Sequence, residues 1–161
     1  MSARSAVIVG PLVTQLLRAA FEQEAGYPPV ADAVRGLTAE QAAWKPAPQR
    51  HSIWQIVRHL ALWKEYALEE WDRRRPDPDA FVRRDWQEAS GGADAWDADV
   101  RRLIEVSKQL IGRAASATDE TLLAPLPQRG GQSLAFALLD LAAHDAYHAG
   151  QIRHLRALQG V

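Results

Sequence analysis

Apolar residues in this chain recur at three- and four-residue steps, the period of a helix with one buried face. Leu12, Val13, Leu16, Leu17, Ala20 and Phe21 form a first stripe behind Pro11, and Gly26-Tyr27-Pro28-Pro29 ends it. Thr38 with Gln41 reads as a capping box for a short turn of helix, after which Trp44-Lys45-Pro46-Ala47-Pro48 forces an extended connection. Ser52 with Gln55 is a second capping box. It opens a long helix whose inward row is Ile53, Ile56, Val57, Leu60, Trp63 and Ala67, fading into Asp72-Arg73-Arg74-Arg75 before Pro76. Residues 76–92, Trp86 among them, read as a long polar connection. A third helix repeats through Val100, Leu103, Ile104, Ser107, Leu110, Ile111 and Ala114. Past an irregular stretch with Leu123, Pro125, Pro127 and Gly130-Gly131, the last helix begins near Ser133 and carries Leu134, Leu138, Leu141, Ile152 and Leu155.

No segment alternates with period two, and no internal repeat is visible. The expected fold is all-α: one domain over residues 1–161, a four-helix bundle, with the long connection between the second and third helices crossing along the bundle. A chain of 161 residues is long enough to bury a core, and 47% hydrophobic with 24% charged residues is a globular composition.

Charge and composition narrow the function. Nineteen basic residues against twenty acidic ones, with no basic stripe, give a nucleic-acid partner no footing. Ala6-Val7-Ile8-Val9 is interrupted by Gly10-Pro11 and reads as a lead-in to the first helix rather than a signal peptide. No run approaches a membrane span, so no membrane partner is expected and the expected location is cytoplasmic. The chain has no cysteine. A disulfide framework, a thiolate nucleophile and a Cys-ligated metal are therefore excluded, and any thiol chemistry needs a small-molecule thiol.

The last helix carries His144-Asp145-Ala146-Tyr147-His148, followed by Ala149-Gly150-Gln151-Ile152. Residues four apart share a helical face, so both imidazoles can aim at one spot, in line with Leu141 and Ile152. On the second helix His59 lies in a similar row with Ile56, Trp63 and Tyr66. One inward histidine is more often a hydrogen-bonded core residue than a ligand. Three facing one interior would each need a partner, and a cation satisfies them together. His59, His144 and His148 are thus the candidate metal ligands.

Other residues receive plainer readings. His51 sits at the helix mouth, and His154 lies about 240° around the helix from His148, toward solvent. Gln151 shares the face of the pair and can steer a ligand imidazole; Asp140 can do likewise, though a solvated carboxylate is the commoner role. Tyr66 and Tyr147 are expected to pack with outward hydroxyls, Gly150 to permit close helix approach, and Trp44, Trp54, Trp63 and Trp71 to fill the core. A zinc-protease motif has Glu after its first His; here Asp145 stands there, turned off the ligand axis. No general base can be named.

With these residues the chain resembles the DinB-like superfamily of metal-dependent four-helix-bundle proteins. The likeness runs over nearly the whole chain: Trp44-Lys45-Pro46, the block from Ser52 to Leu60, and above all the block from His144 to Ile152, where a His pair four apart is followed by Gly-Gln. The resemblance places the metal triad on His59, His144 and His148. It implies a divalent metal such as zinc or nickel, a bacterial source and a homodimer. It also implies a transferase or isomerase that uses a low-molecular-weight thiol. Three protein ligands with open positions suit a catalytic metal. The leading expectation is a thiol S-transferase acting on a small-molecule electrophile, with a metal-assisted hydrolase close behind. The alternative is a non-catalytic, metal-stabilised stress-response or small-molecule-binding dimer.

Overall fold

A computed structural model describes residues 9–72, 74 and 76–161. All of its regular elements are helical: α1 (Val9–Phe21), α2 (Val30–Val34), α3 (Ala39–Ala43), α4 (Ile53–Trp71), α5 (Pro78–Arg84), α6 (Ala93–Ser116), α7 (Asp119–Leu123), a 3₁₀ turn at Pro127–Arg129, and α8 (Leu134–Gln159). The four long ones form the bundle. Helix α1 packs on α6 and α8, and α4 packs on the same two, so α1 and α4 face each other diagonally. No described helix is long and apolar enough to cross a membrane.

The caps fall where the side chains demand. Thr38 and Ser52 each accept from the backbone N–H three residues on, while Gln41 and Gln55 reach back to the cap's own N–H, completing both boxes. Ser133 caps α8 through the N–H of Phe136. Near the start of α4 the Trp54 indole donates to Asp99 of α6 at 2.7 Å, and near its end Asp72 accepts from Arg113 of α6 at 2.6 Å. The two helices therefore run in the same direction.

Several expectations need correction. Helix α1 starts at Val9, before Pro11, and its buried side is Val13, Leu17, Ala20 and Phe21, whereas Leu12 and Leu16 are exposed. The six-residue stripe was wider than one packed face. Residues 1–8, including most of the Ala6–Val9 lead-in, lie outside the described residues, as do Arg73 and Arg75. Residues 76–92 are not wholly irregular: Asp77 caps α5, with Pro78 in the first turn. Short helices α2 and α7 likewise occupy stretches read as connections, α7 capped by Thr118. Gly150 is exposed, with nothing within 4 Å of where a Cβ would sit, so it permits no close approach.

Lys64 and Asp145, each 1% exposed, form an ion pair between the middles of α4 and α8. Burial raises the Asp145 pKa and the neighbouring ammonium opposes that rise. Asp145 is indeed turned away from the histidine face, and it ties α8 to α4 one residue from His144.

Candidate metal centre

His59 comes from the second turn of α4, and His144 and His148 from successive turns of α8. The structure brings all three together. Nε2 of His144 lies 2.9 Å from Nε2 of His59 and 3.1 Å from Nε2 of His148. One nitrogen from each residue falls within 4.8 Å of the other two, and this is the one such three-residue group among the described residues.

The outer nitrogens decide what the inner ones can be. Nδ1 of His59 is 2.7 Å from Oδ1 of Asp85, and Nδ1 of His148 is 2.7 Å from Oε1 of Gln151. Both partners accept, because the Gln151 amide nitrogen already donates to the Tyr147 hydroxyl at 2.8 Å. Each Nδ1 therefore carries the proton, and Nε2 of His59 and of His148 is left as a bare lone pair. His144 can bring at most one proton to the meeting point. Its Nδ1 is buried without a hydrogen-bond partner. At least one inward lone pair stays unsatisfied, which is costly in a buried site. A cation removes the deficit. Zinc bound at about 2.0–2.1 Å to each nitrogen sets the nitrogens about 3.3 Å apart, a few tenths wider than the spacing here.

The electrostatics agree. Burial depresses the His144 pKa to about 3, assisted by His148, His59 and Lys64, and depresses His148 to about 4, assisted by His59. His59 is lowered by burial too, against the opposing pull of Asp85. All three are neutral near pH 7, the form a metal needs.

Sequence reasoning singled out the three histidines that the structure gathers, and Gln151 beside them, but missed the segment that holds His59. Asp85 caps nothing in the pattern, yet both its oxygens are engaged: Oδ1 accepts from His59 and from the Trp86 backbone N–H at 3.0 Å, and Oδ2 accepts from the Trp63 indole at 3.0 Å. Trp86 stacks on His59 with centroids 4.0 Å apart, and His51 stacks on its other face at 3.9 Å. Trp86 is the one described non-glycine residue with positive φ, +54°. Such a conformation costs a non-glycine residue about 1–2 kcal/mol and must be held by its surroundings. Gln55 and Arg58 hold it by donating to the carbonyls of Trp86 and Glu88. The Asp85–Glu88 strap thus closes one side of His59.

The remaining residues take lesser places. His51 is exposed apart from its stacking, and His154 is exposed. Tyr66 packs with Trp63 and Phe81 rather than at the imidazoles. Trp54 is buried, Trp63 and Trp71 are half-buried, and Trp44 is exposed at its edge. A cleft of about 540 Å³ opens beside the imidazoles, between Trp63 and Tyr147, and His59 and His144 line it.

Residues 24–152 match the family described as the DinB superfamily. That span covers His59, His144, His148 and the strap. The chain belongs to the DinB superfamily. No curated protein and no solved structure matches it. Membership of the DinB superfamily agrees with the all-helical architecture and with a three-histidine group able to hold a metal.

Proposed function

We propose that this DinB-superfamily protein is a metal-dependent enzyme acting on a small molecule, with His59, His144 and His148 as the ligands of one divalent ion, zinc or nickel. The observation that carries the reading is the pair of protonated Nδ1 atoms on His59 and His148, which leaves lone pairs converging at one point. An ion held there supplies Lewis acidity, lowering the pKa of a thiol or water brought against it.

The residues of the chain do the rest. Asp85 and Gln151 fix the orientation and tautomer of two ligands. Trp86 stacks over one face of His59, and a substrate approaches from the cleft between Trp63 and Tyr147, which His59 and His144 line. With no cysteine in the chain, a thiol nucleophile arrives as a low-molecular-weight cosubstrate. In S-transfer the thiol gives its proton to solvent, its sulfur forms the new bond to carbon, and the leaving group departs with its electron pair. Hydrolysis follows the same course with water in place of the thiol. A cytoplasmic homodimer from a bacterium is the setting the family resemblance favours.

One observation favours a second, non-catalytic reading, a metal-stabilised dimer. Both oxygens of Asp85 are occupied by donors, which leaves that carboxylate unsuited to act as a base.

Metal content by mass spectrometry, on protein purified without an affinity tag, tests the site. We expect about one equivalent per chain, lost in a His59→Ala/His144→Ala variant. Absence of metal after incubation with zinc or nickel would overturn the proposal. Retained metal-dependent stability without turnover on any thiol or ester would select the second reading.

A further inference from the structure

The cleft beside the imidazoles carries charges that metal binding leaves unused. Arg129, from the 3₁₀ turn before α8, lines it, and its Nε and Nη2 hold the carboxylate of Glu70 at 2.7–3.0 Å. Glu70 is 1% exposed and Arg129 about a quarter exposed, so a buried anion fixes the plane of a guanidinium that still reaches solvent. Tyr66 backs it, with the ring centre 5.9 Å from Cζ. Nη1 takes part in no hydrogen bond among the described residues.

Asp140 lines the same cleft, one turn before His144, with its carboxylate in solvent. It is near enough to Arg129 to favour the charged guanidinium, yet the ion pair of Arg129 goes to Glu70. Two opposite charges therefore share a cleft without neutralising each other. Besides the histidines, the rest of the lining is apolar or aromatic, Ala67, Ala137, Leu141 and Ala143 with Trp63 and Tyr147, apart from Asp85, whose two oxygens are already taken by His59, Trp63 and the Trp86 N–H. A ligand carrying only negative charge gains the Nη1 donor but meets Asp140, and one carrying only positive charge gains Asp140 but leaves Nη1 without an acceptor. A ligand carrying both satisfies each.

We propose that this cleft binds a small zwitterion, its carboxylate at Nη1 of Arg129 and its ammonium at Asp140. Resting on the thiol reading above, the thiol is of amino-acid type, with its sulfur directed at the three histidines. At about 540 Å³ the cleft has room for such a molecule with an electrophile beside it.

Four thiols distinguish the charges: L-homocysteine has both groups, cysteamine lacks the carboxylate, 3-mercaptopropionate lacks the ammonium, and 2-mercaptoethanol lacks both. Titrated into the cobalt-loaded protein, they are read by thiolate-to-cobalt absorption. L-Homocysteine should half-saturate at about tenfold lower concentration than either singly charged thiol, as one charge-assisted hydrogen bond predicts. Asp140→Asn should abolish its advantage over 3-mercaptopropionate. Arg129→Lys, which keeps a cation for Glu70, should cut its advantage over cysteamine several-fold. Equal binding of all four, or an advantage that survives both variants, overturns the zwitterion site and leaves the thiol reading standing. If no thiol alters the spectrum, the thiol reading fails, and calorimetry with L-methionine, a zwitterion without a free thiol, decides the rest. Methionine binding lost in Asp140→Asn upholds the zwitterion site; no binding overturns it.

Discussion

Nδ1 of His59 lies 2.7 Å from a carboxylate oxygen of Asp85, which also accepts from the Trp86 backbone. The contact fixes a proton on the outer nitrogen and a lone pair on the inner one. Asp85→Asn keeps the volume but removes the charge, and in either orientation its amide nitrogen meets a donor, the Trp63 indole or else His59 with the Trp86 N–H. Metal affinity should fall about 10–100-fold, as for other partners of ligand imidazoles. Competition against a chromogenic chelator reads it. Unchanged affinity would mean that His59 is oriented by packing alone.

Acid should destabilise the metal-free protein through the histidines. An exposed histidine in the unfolded chain titrates near 6.5, whereas burial holds His144 at about 3 and His148 at about 4. The unfolded state therefore binds more protons below pH 6.5. Stability is undiminished above that value and falls as pH drops toward 4. At pH 5 the penalty is at most about 2 kcal/mol per histidine, somewhat less for partial exposure. Urea midpoints measured from pH 7.5 to 5 should decline, and His144→Gln should flatten the decline.

Trp86 gives a backbone test. At φ +54° a Cβ is strained and glycine is not. Trp86→Gly should be about 1 kcal/mol more stable than Trp86→Ala, the reverse of the order expected at an ordinary position. Both should bind metal more weakly than the parent, since both lose the face stacked on His59. Thermal unfolding and the same chelator competition check the two claims.

The Lys64–Asp145 pair predicts strong non-additivity. Lys64→Met leaves a buried carboxylate alone and should cost about 3–5 kcal/mol; Lys64→Met/Asp145→Leu should recover most of that loss. A double variant as unstable as the single one would show that the charges themselves hold α4 against α8.

Where helical period and cap chemistry are local, the sequence was readable. The stripes, both capping boxes and the start of the last helix near Ser133 come from residues within a few positions of one another. The two α8 histidines follow from their spacing, and His59 from its place in an apolar row. Asp85 did not announce itself, because nothing near it in the chain says that it will meet His59, twenty-six residues away. Lys64 was invisible for a related reason: a lysine in an amphipathic helix usually faces solvent, and only tertiary pairing with Asp145 keeps it inside. Gly150 failed in the other direction, since a small residue just past the histidine pair suggests contact where the fold leaves open space.

Gln55 uses its oxygen on the Ser52 N–H and its amide nitrogen on the Trp86 carbonyl. One amide thus belongs both to a helix terminus and to the strap over His59. The first turn of α4 cannot fray without releasing that carbonyl, so the lifetime of the closed site is set where a helix begins rather than where its histidines meet.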